Sequence, residues 1–343
     1  MSTHQQIKLS VPALFNDEMI DFYHSINISH KNNDVYIAEV YGSLPKNTAR
    51  ETRRLPVISI KNLIKFAHKL AEIKIDFNYA LNSTIIDRNI IEKDIKPLLD
   101  ILVSEGINTY TVSSTFLLSY LHENYPNINL VLSTIAGSDS IKKVNQAKYF
   151  GANRIILDLK TTRNFMFLKN IHQIIDIEYE IMVNEFCGDC LMRNTHYNMQ
   201  SIGNADMKLN SEIHYPYDIC GKMFMSKKSD ILKGFWILPE WMKIYKRYGI
   251  GWMKITGRTI RDIEWHKKLI TSYVSMASPD NIMELAPIIL NSKKEEGLLP
   301  EYTLQIDNII KSDYLDHFIN KKYDCDNECG ITCDYCDKLE RKI

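Results

Sequence analysis

The residues most able to do chemistry are seven cysteines, none of them in the first 186 positions. Cys187 and Cys190 follow a β-branched apolar run in EIMVNEFCGDCLMRNTHYN. Their C-x2-C spacing lets both thiolates reach one metal or one cluster, although near cysteines also serve redox exchange or are simply buried. Cys220, in HYPYDICGKMFM, offers a third thiol. Cys325, Cys329, Cys333 and Cys336 then fall within twelve residues near the end of the chain. A zinc site usually pairs two knuckles across a longer loop, so such tight packing suits a cubane iron–sulfur cluster at least as well. Around the first pair stand Glu185, a candidate base or partner of Arg193, and His196, a candidate proton shuttle or sulfur hydrogen-bond donor. Further on, Lys254 and Arg258 form a basic pair. A guanidinium grips carboxylate or phosphate at two points, and a nearby ammonium adds charge. Each has an ordinary alternative: a helix cap for Glu185, a satisfied loop histidine for His196, a rim ion pair for the two cations.

Composition narrows the class. Lys+Arg and Asp+Glu both number 42 in 343 residues, so no broad basic face for nucleic acid is expected, and a small molecule or a peptide is preferred as substrate. Hydrophobic residues at 45% supply a large core. An odd cysteine count without a charged, apolar leader argues against a disulfide framework and for a cytoplasmic protein. No apolar run reaches membrane-spanning length.

These groups need a scaffold, and the pattern supplies one. Strands are expected at 7–11, 35–40, 75–81, 109–112, 130–134, 154–159, 181–184 and 252–256. Amphipathic helices such as 61–73, 94–105 and 138–150 fall between most of them. Gly106, Gly151 and Gly249 follow helical patterns, where a left-handed C-terminal cap costs glycine little. Strand then helix, eight times, reads as an α/β fold, a (β/α)8 TIM-like barrel with a long insertion after strand 7 and a Cys-rich C-terminal tail. Residues 1–260 form the barrel, with a cluster-binding insertion at 186–250, and 261–343 a helical extension ending in the four-Cys metal-binding tail. Closing helices are expected at 263–277, 281–290 and 304–319. Catalytic groups belong at the C-terminal ends of the strands. Those ends carry Glu39, Tyr41, Asn78, Asn82, Ser113, Ser114, Ser133, Thr134 and Asp158, each of which also suits a turn or N-cap.

Several blocks in order, DVYIAEVYG, NYALNS, NINLVLSTIAG, YFGANRIILDL, EIMVNEFCGDC and PEWMKIYKRYGIGWMKITGR, resemble the peptidase U-32 family, the collagenase-like proteins. Members include anaerobic ubiquinone-biosynthesis proteins that work as a pair and tRNA and rRNA hydroxylation proteins. The resemblance implies a [4Fe–4S] cluster on Cys187, Cys190 and Cys220, oxygen-independent hydroxylation, and a prephenate-like anionic co-substrate for Lys254 and Arg258. The tail thiols would hold a second cluster or zinc. The chain departs from the family where a Gly-x-x-Cys turn and a Ser-Gly-Arg-Cys stretch are usual after strand 7. Its second thiol stands closer to the first, and a fourth ligand between Cys190 and Cys220 is missing. Two other readings stay open. One is a hydrolase, as the family label says, although H-E-x-x-H and G-x-S-x-G are absent; a Cys187–His196 pair is its candidate dyad. The other is an electron-relay or scaffold partner of a second U-32-like protein.

Overall fold

A computed structural model describes residues 6–30, 34–44, 58–174, 176–205, 228–287, 308–320, 329 and 331–340. Eight strands close into one parallel barrel in sequence order: β1 (Ile7–Pro12), β2 (Val35–Gly42), β3 (Asp76–Leu81), β4 (Thr109–Val112), β5 (Asn129–Leu132), β6 (Arg154–Ile156), β7 (Glu178–Met182) and β8 (Trp252–Lys254). β1 pairs with both β2 and β8, which closes the ring. The expected (β/α)8 architecture is therefore present. The connecting helices include α1 (Asp17–Ser29), α2 (Ile60–Glu72), α3 (Lys96–Ser104), α4 (Thr115–Asn124), α5 (Ile141–Tyr149) and α6 (Phe165–Ile171).

The period-two alternation of a strand sends one set of side chains out to the helices and the other into the barrel. Ile7, Leu9 and Val11 of β1 join the main apolar core with Met19, Tyr23 and Ile26 of α1. Lys8 and Ser10 belong to the opposite set. Inside the barrel a separate small apolar cluster, Val131, Ile156, Leu159, Met182 and Phe235, lies beneath the mouth. Gly106, Gly151 and Gly249 have φ of +82°, +97° and +85°, as expected for left-handed helix ends.

Several boundaries differ from expectation. β7 begins at Glu178, three residues early, because its two acids are satisfied by cations inside and below the barrel. β5 and β6 stop short, since Ser133 and Asp158 turn to cap 3-10 turns by accepting from Ile135 and Lys160 N–H groups. Residues 281–290 were expected to be a helix. Instead a 3-10 turn, Ile282–Leu285, gives way at Ala286 to extended backbone (φ −81°, ψ 122°), which the ring of Pro287 favours in its predecessor. The long connection after β7 carries α7 (Arg193–Ala205), α8 (Lys228–Leu232) and α9 (Met242–Arg247). After β8 come α10 (Ile263–Ser275), α11 (Asn308–Ile319) and α12 (Tyr335–Glu340).

Candidate functional site

Five polar side chains from five strands meet inside the barrel below its C-terminal mouth. Ser10 Oγ donates to Glu39 Oε1 at 2.6 Å. Arg154 pairs with Glu39, and its Nε faces Glu180 Oε2 at 3.0 Å. Lys254 Nζ donates to Ser10 Oγ at 3.0 Å and to Glu180 Oε1 at 3.3 Å. All five are buried. Two carboxylates and two cations balance, which is what lets the charges stay out of water. Burial pushes the Glu39 carboxyl up, but the charges of Arg154 and Lys254 and the Ser10 and Arg154 hydrogen bonds outweigh it and hold it below the usual range. For Lys254 burial wins: the ammonium sits below the ordinary lysine value despite Glu180 and Glu39, and Arg154 lowers it further.

Tyr41 lies above this network. The Lys254 Nζ stands 3.6 Å from the centre of its ring and the Arg258 guanidinium carbon 5.2 Å from it. The Tyr41 hydroxyl donates to the Ile255 carbonyl at 2.9 Å, fixing the ring against β8. Both cations line a cavity at the mouth together with Tyr41, Asn82, Ser133, Thr134, Thr256 and Tyr197. Ile156 and Met182, from the inner apolar cluster, form another part of its wall. Its volume of about 60 Å³ admits a few water-sized groups. Arg258 is positioned by the turn after β8. Gly257 there has φ +136°, and a Cβ on it would come within 2.9 Å of Trp265 and 3.0 Å of His266. Thr256 is tied to the loop after β7, since its N–H donates to Asn184 Oδ1 at 2.7 Å.

Helix α7 extends over the mouth. Arg193 Nη1 donates to both oxygens of Asp158 at 2.9 and 3.0 Å. Burial disfavours the Arg193 charge, but Tyr197 and Asp158 more than compensate and raise its pKa. Further along, Ser201 Oγ accepts from the Thr84 N–H and hydroxyl, both at 3.1 Å, beyond the end of β3. Tyr197, between these anchors, faces the cavity.

Of the residues expected from sequence, Lys254 and Arg258 are thus brought together at the cavity. Glu185 is buried in the turn after β7. His196 lies on α7, with Nε2 2.8 Å from Gln200 Nε2 and its ring stacked on Tyr197. Cys187 packs on the inner apolar cluster, and its Sγ is 3.5 Å from the Gly188 carbonyl. Cys190 Sγ accepts from the Met192 N–H at 3.3 Å as the chain enters α7. Cys220 and Cys325 lie outside the described residues. Cys329 and Cys333 share a backbone bridge, and Cys336 packs on the main core. Lys233 Nζ ties this tail to the β7–β8 connection through Asp337 at 2.8 Å. Phe235, two residues on, donates its N–H to the Cys187 carbonyl at 3.3 Å. The same connection therefore touches both the tail and the barrel cysteines.

Sequence reasoning did not single out Arg154, Glu180 or Tyr197. A charge at an inward position of an apolar strand, two residues before Ile156 or Met182, was the available signal for the first two.

Among the described residues, no group of three or more His, Cys, Asp or Glu side chains is placed to hold a metal ion. The described barrel loop supplies two thiols, Cys187 and Cys190, fewer than a cluster requires. No helix among the described residues is long and apolar enough to cross a membrane.

Comparison with known proteins assigns the chain to a family. The family model for Peptidase family U32 matches residues 30–322, and the chain belongs to that family. An uncharacterized protease of Methanocaldococcus jannaschii is 28% identical over 311 residues, covering 89% of this chain and 88% of that one. A solved U32 peptidase, Mk0906, superposes with a TM-score of 0.52 at 13% identity over 75% of this chain and 95% of its own. That likeness speaks to the fold.

Proposed function

We propose that this U32-family protein is an enzyme that binds a small carboxylate-bearing substrate or co-substrate at its barrel mouth, with Lys254 and Arg258 as the anion-binding groups. The observation that carries this reading is the convergence of two buried cations on one tyrosine ring at the wall of a cavity. Buried ion networks are weak devices for stability, because well-packed apolar residues often do as well. Their use here is to present positive charge in a site that excludes much of the water, where an anion is held far more strongly than on an open surface. Thr256, Ser133 and Asn82 add hydroxyl and amide groups that can orient the ligand.

The finer chemistry proposed is redox modification, in the manner of the oxygen-independent hydroxylases that the chain resembles. Cys187, Cys190 and Cys220 are the proposed ligands of a [4Fe–4S] cluster near the mouth. What supports this is Cys187, the first thiol of the C-x2-C pair, standing against the apolar cluster whose Ile156 and Met182 also line the cavity. Cys325, Cys329, Cys333 and Cys336 are proposed to bind a second metal group, a cluster or zinc, on the tail. A second U32-type protein is a proposed partner. Hydrolysis of a peptide is the second reading, favoured by the names of the relative and of the solved neighbour.

Anaerobic purification with iron, sulfide and zinc analysis and an EPR spectrum tests the redox reading. Iron and sulfide in near-equal amounts, lowered in Cys187→Ser, Cys190→Ser and Cys220→Ser, are expected. Zinc alone, with no iron bound after reconstitution, would sink that reading and bring hydrolysis forward.

A further inference from the structure

A buried amine at a cavity wall can do more than attract an anion. We propose that Lys254 is a nucleophile that captures the carbonyl group of an anionic substrate as an imine. This rests on the reading of the mouth cavity as the substrate site and names the substrate class more narrowly: a keto or aldehyde acid.

The geometry provides each part that this reaction needs. Lys254 lines the cavity and stands at the C-terminal end of β8, where barrel chemistry is placed. Its amine first gives a proton to water in the cavity. The nitrogen lone pair then adds to the carbonyl carbon, and the carbonyl π pair moves to oxygen. Transfer of a nitrogen proton to that oxygen gives a carbinolamine. A proton returned from the cavity water to the hydroxyl lets it leave as water as the C=N bond forms, and the iminium nitrogen then gives its remaining proton to Glu180 or to water. The net change is amine plus carbonyl to imine plus one water, with no oxidant or reductant. Ser10 Oγ, within 3.0 Å of Lys254 Nζ and bonded to Glu39 at 2.6 Å, is placed to relay those protons, and Glu180 Oε1 at 3.3 Å is a second acceptor. Arg258, near the same tyrosine ring, is placed to hold the carboxylate of the substrate.

The groups facing Lys254 pull its protonation both ways. Glu180 from β7 and Glu39 from β2 favour the ammonium, as does the face of Tyr41. Burial and Arg154 from β6 favour the free amine, and Arg258 beyond β8 faces the same Tyr41 ring. The balance lies on the side of the amine relative to an exposed lysine. A lysine desolvated beside other cations is activated in this way in enzymes that form imines.

The test uses glyoxylate, a small anionic aldehyde, with sodium cyanoborohydride to reduce any imine to a stable secondary amine. Peptide mapping of the full chain then locates the label. At neutral pH Lys254 is expected to label at least about tenfold faster than exposed lysines such as Lys142. Malonate, an anion with no reactive carbonyl, should protect Lys254, and Arg258→Met should slow its labelling. Lys254→Arg keeps the charge but should lose the label. Label spread over surface lysines with Lys254 unmodified overturns the proposal. If malonate still binds in that case, the anion-site reading stands and only the imine fails. If malonate does not bind, both fail. Should Lys254→Arg not fold, the map of the wild-type protein still decides.

Discussion

Replacing Glu180 by glutamine removes one charge from the centre of the barrel while keeping the shape. Glu180 faces Arg154 at 3.0 Å and Lys254 at 3.3 Å. At an effective dielectric constant of about 20, each contact is worth roughly 5 kcal/mol of gross attraction. The desolvation of the carboxylate, no longer required, offsets part of this, and removal of one partner from a buried ion network costs a net of about 3–5 kcal/mol. At the lower sensitivity of large domains, about 2 °C per kcal/mol, the melting temperature should fall by roughly 6–10 °C. The pH dependence has a definite sign. Without Glu180 the interior carries an excess positive charge, which Lys254 relieves by losing its proton. Its folded pKa, already lowered, drops further below the unfolded value. Between the two the unfolded chain binds the extra proton, so stability rises with pH across that window. The deficit of the variant should therefore shrink from neutral pH towards about 10, the range of an unfolded lysine. Scanning calorimetry of both proteins across that range measures this. A variant within about 1 °C of wild type at every pH would refute the network as an electrostatically coupled unit.

Other perturbations read the rest of the site. Arg193→Met removes charge-assisted bonds to Asp158 worth about 1.5–3 kcal/mol, so cleavage within α7 by a protease that samples its opening should accelerate about 10- to 100-fold; an unchanged rate would mean that Ser201 and Thr84 hold the helix alone. Tyr314 stacks on Trp236 and Trp241 at centroid distances of 5.4 and 5.7 Å. Tyr314→Ala should cost about 3–5 kcal/mol in denaturant unfolding, and a loss under about 1 kcal/mol would mean that α11 adds little to the stability of the barrel. Gly257→Ala should weaken anion binding more than it lowers the melting temperature, because it displaces the Arg258 turn against Trp265 and His266; equal loss of both would make that glycine a general packing residue.

Much of the scaffold was legible because it is written in local patterns. Strand alternation, helical periodicity and the glycine caps fix each element from residues within a few positions. Lys254 and Arg258 were legible as a basic pair beside an apolar strand. Several polar strand ends proved to be caps, as with Ser114, which accepts from Leu117 at the start of α4. The Glu39–Arg154–Glu180–Lys254 network was not legible. Its members are brought together by closure of the barrel and by the register of β1 with β2 and β8. In isolation Glu178-Tyr179-Glu180 reads as a polar loop, since the cations that make it a strand come from Lys8 and Arg154. Tyr197 joins the cavity only because Arg193 and Ser201 pin α7 across the mouth, a contact between segments far apart in the chain.

Lys254 and Arg258 are proposed to make the barrel mouth an anion site. Isothermal titration of malonate into the wild-type protein, Arg258→Met and Lys254→Arg tests it most directly. One saturable site per chain is predicted, weakened about 10- to 100-fold in Arg258→Met by the loss of a charge-assisted contact, and falling as salt screens the partly exposed anion. No saturable heat in the wild type, or the same affinity in Arg258→Met, would contradict it.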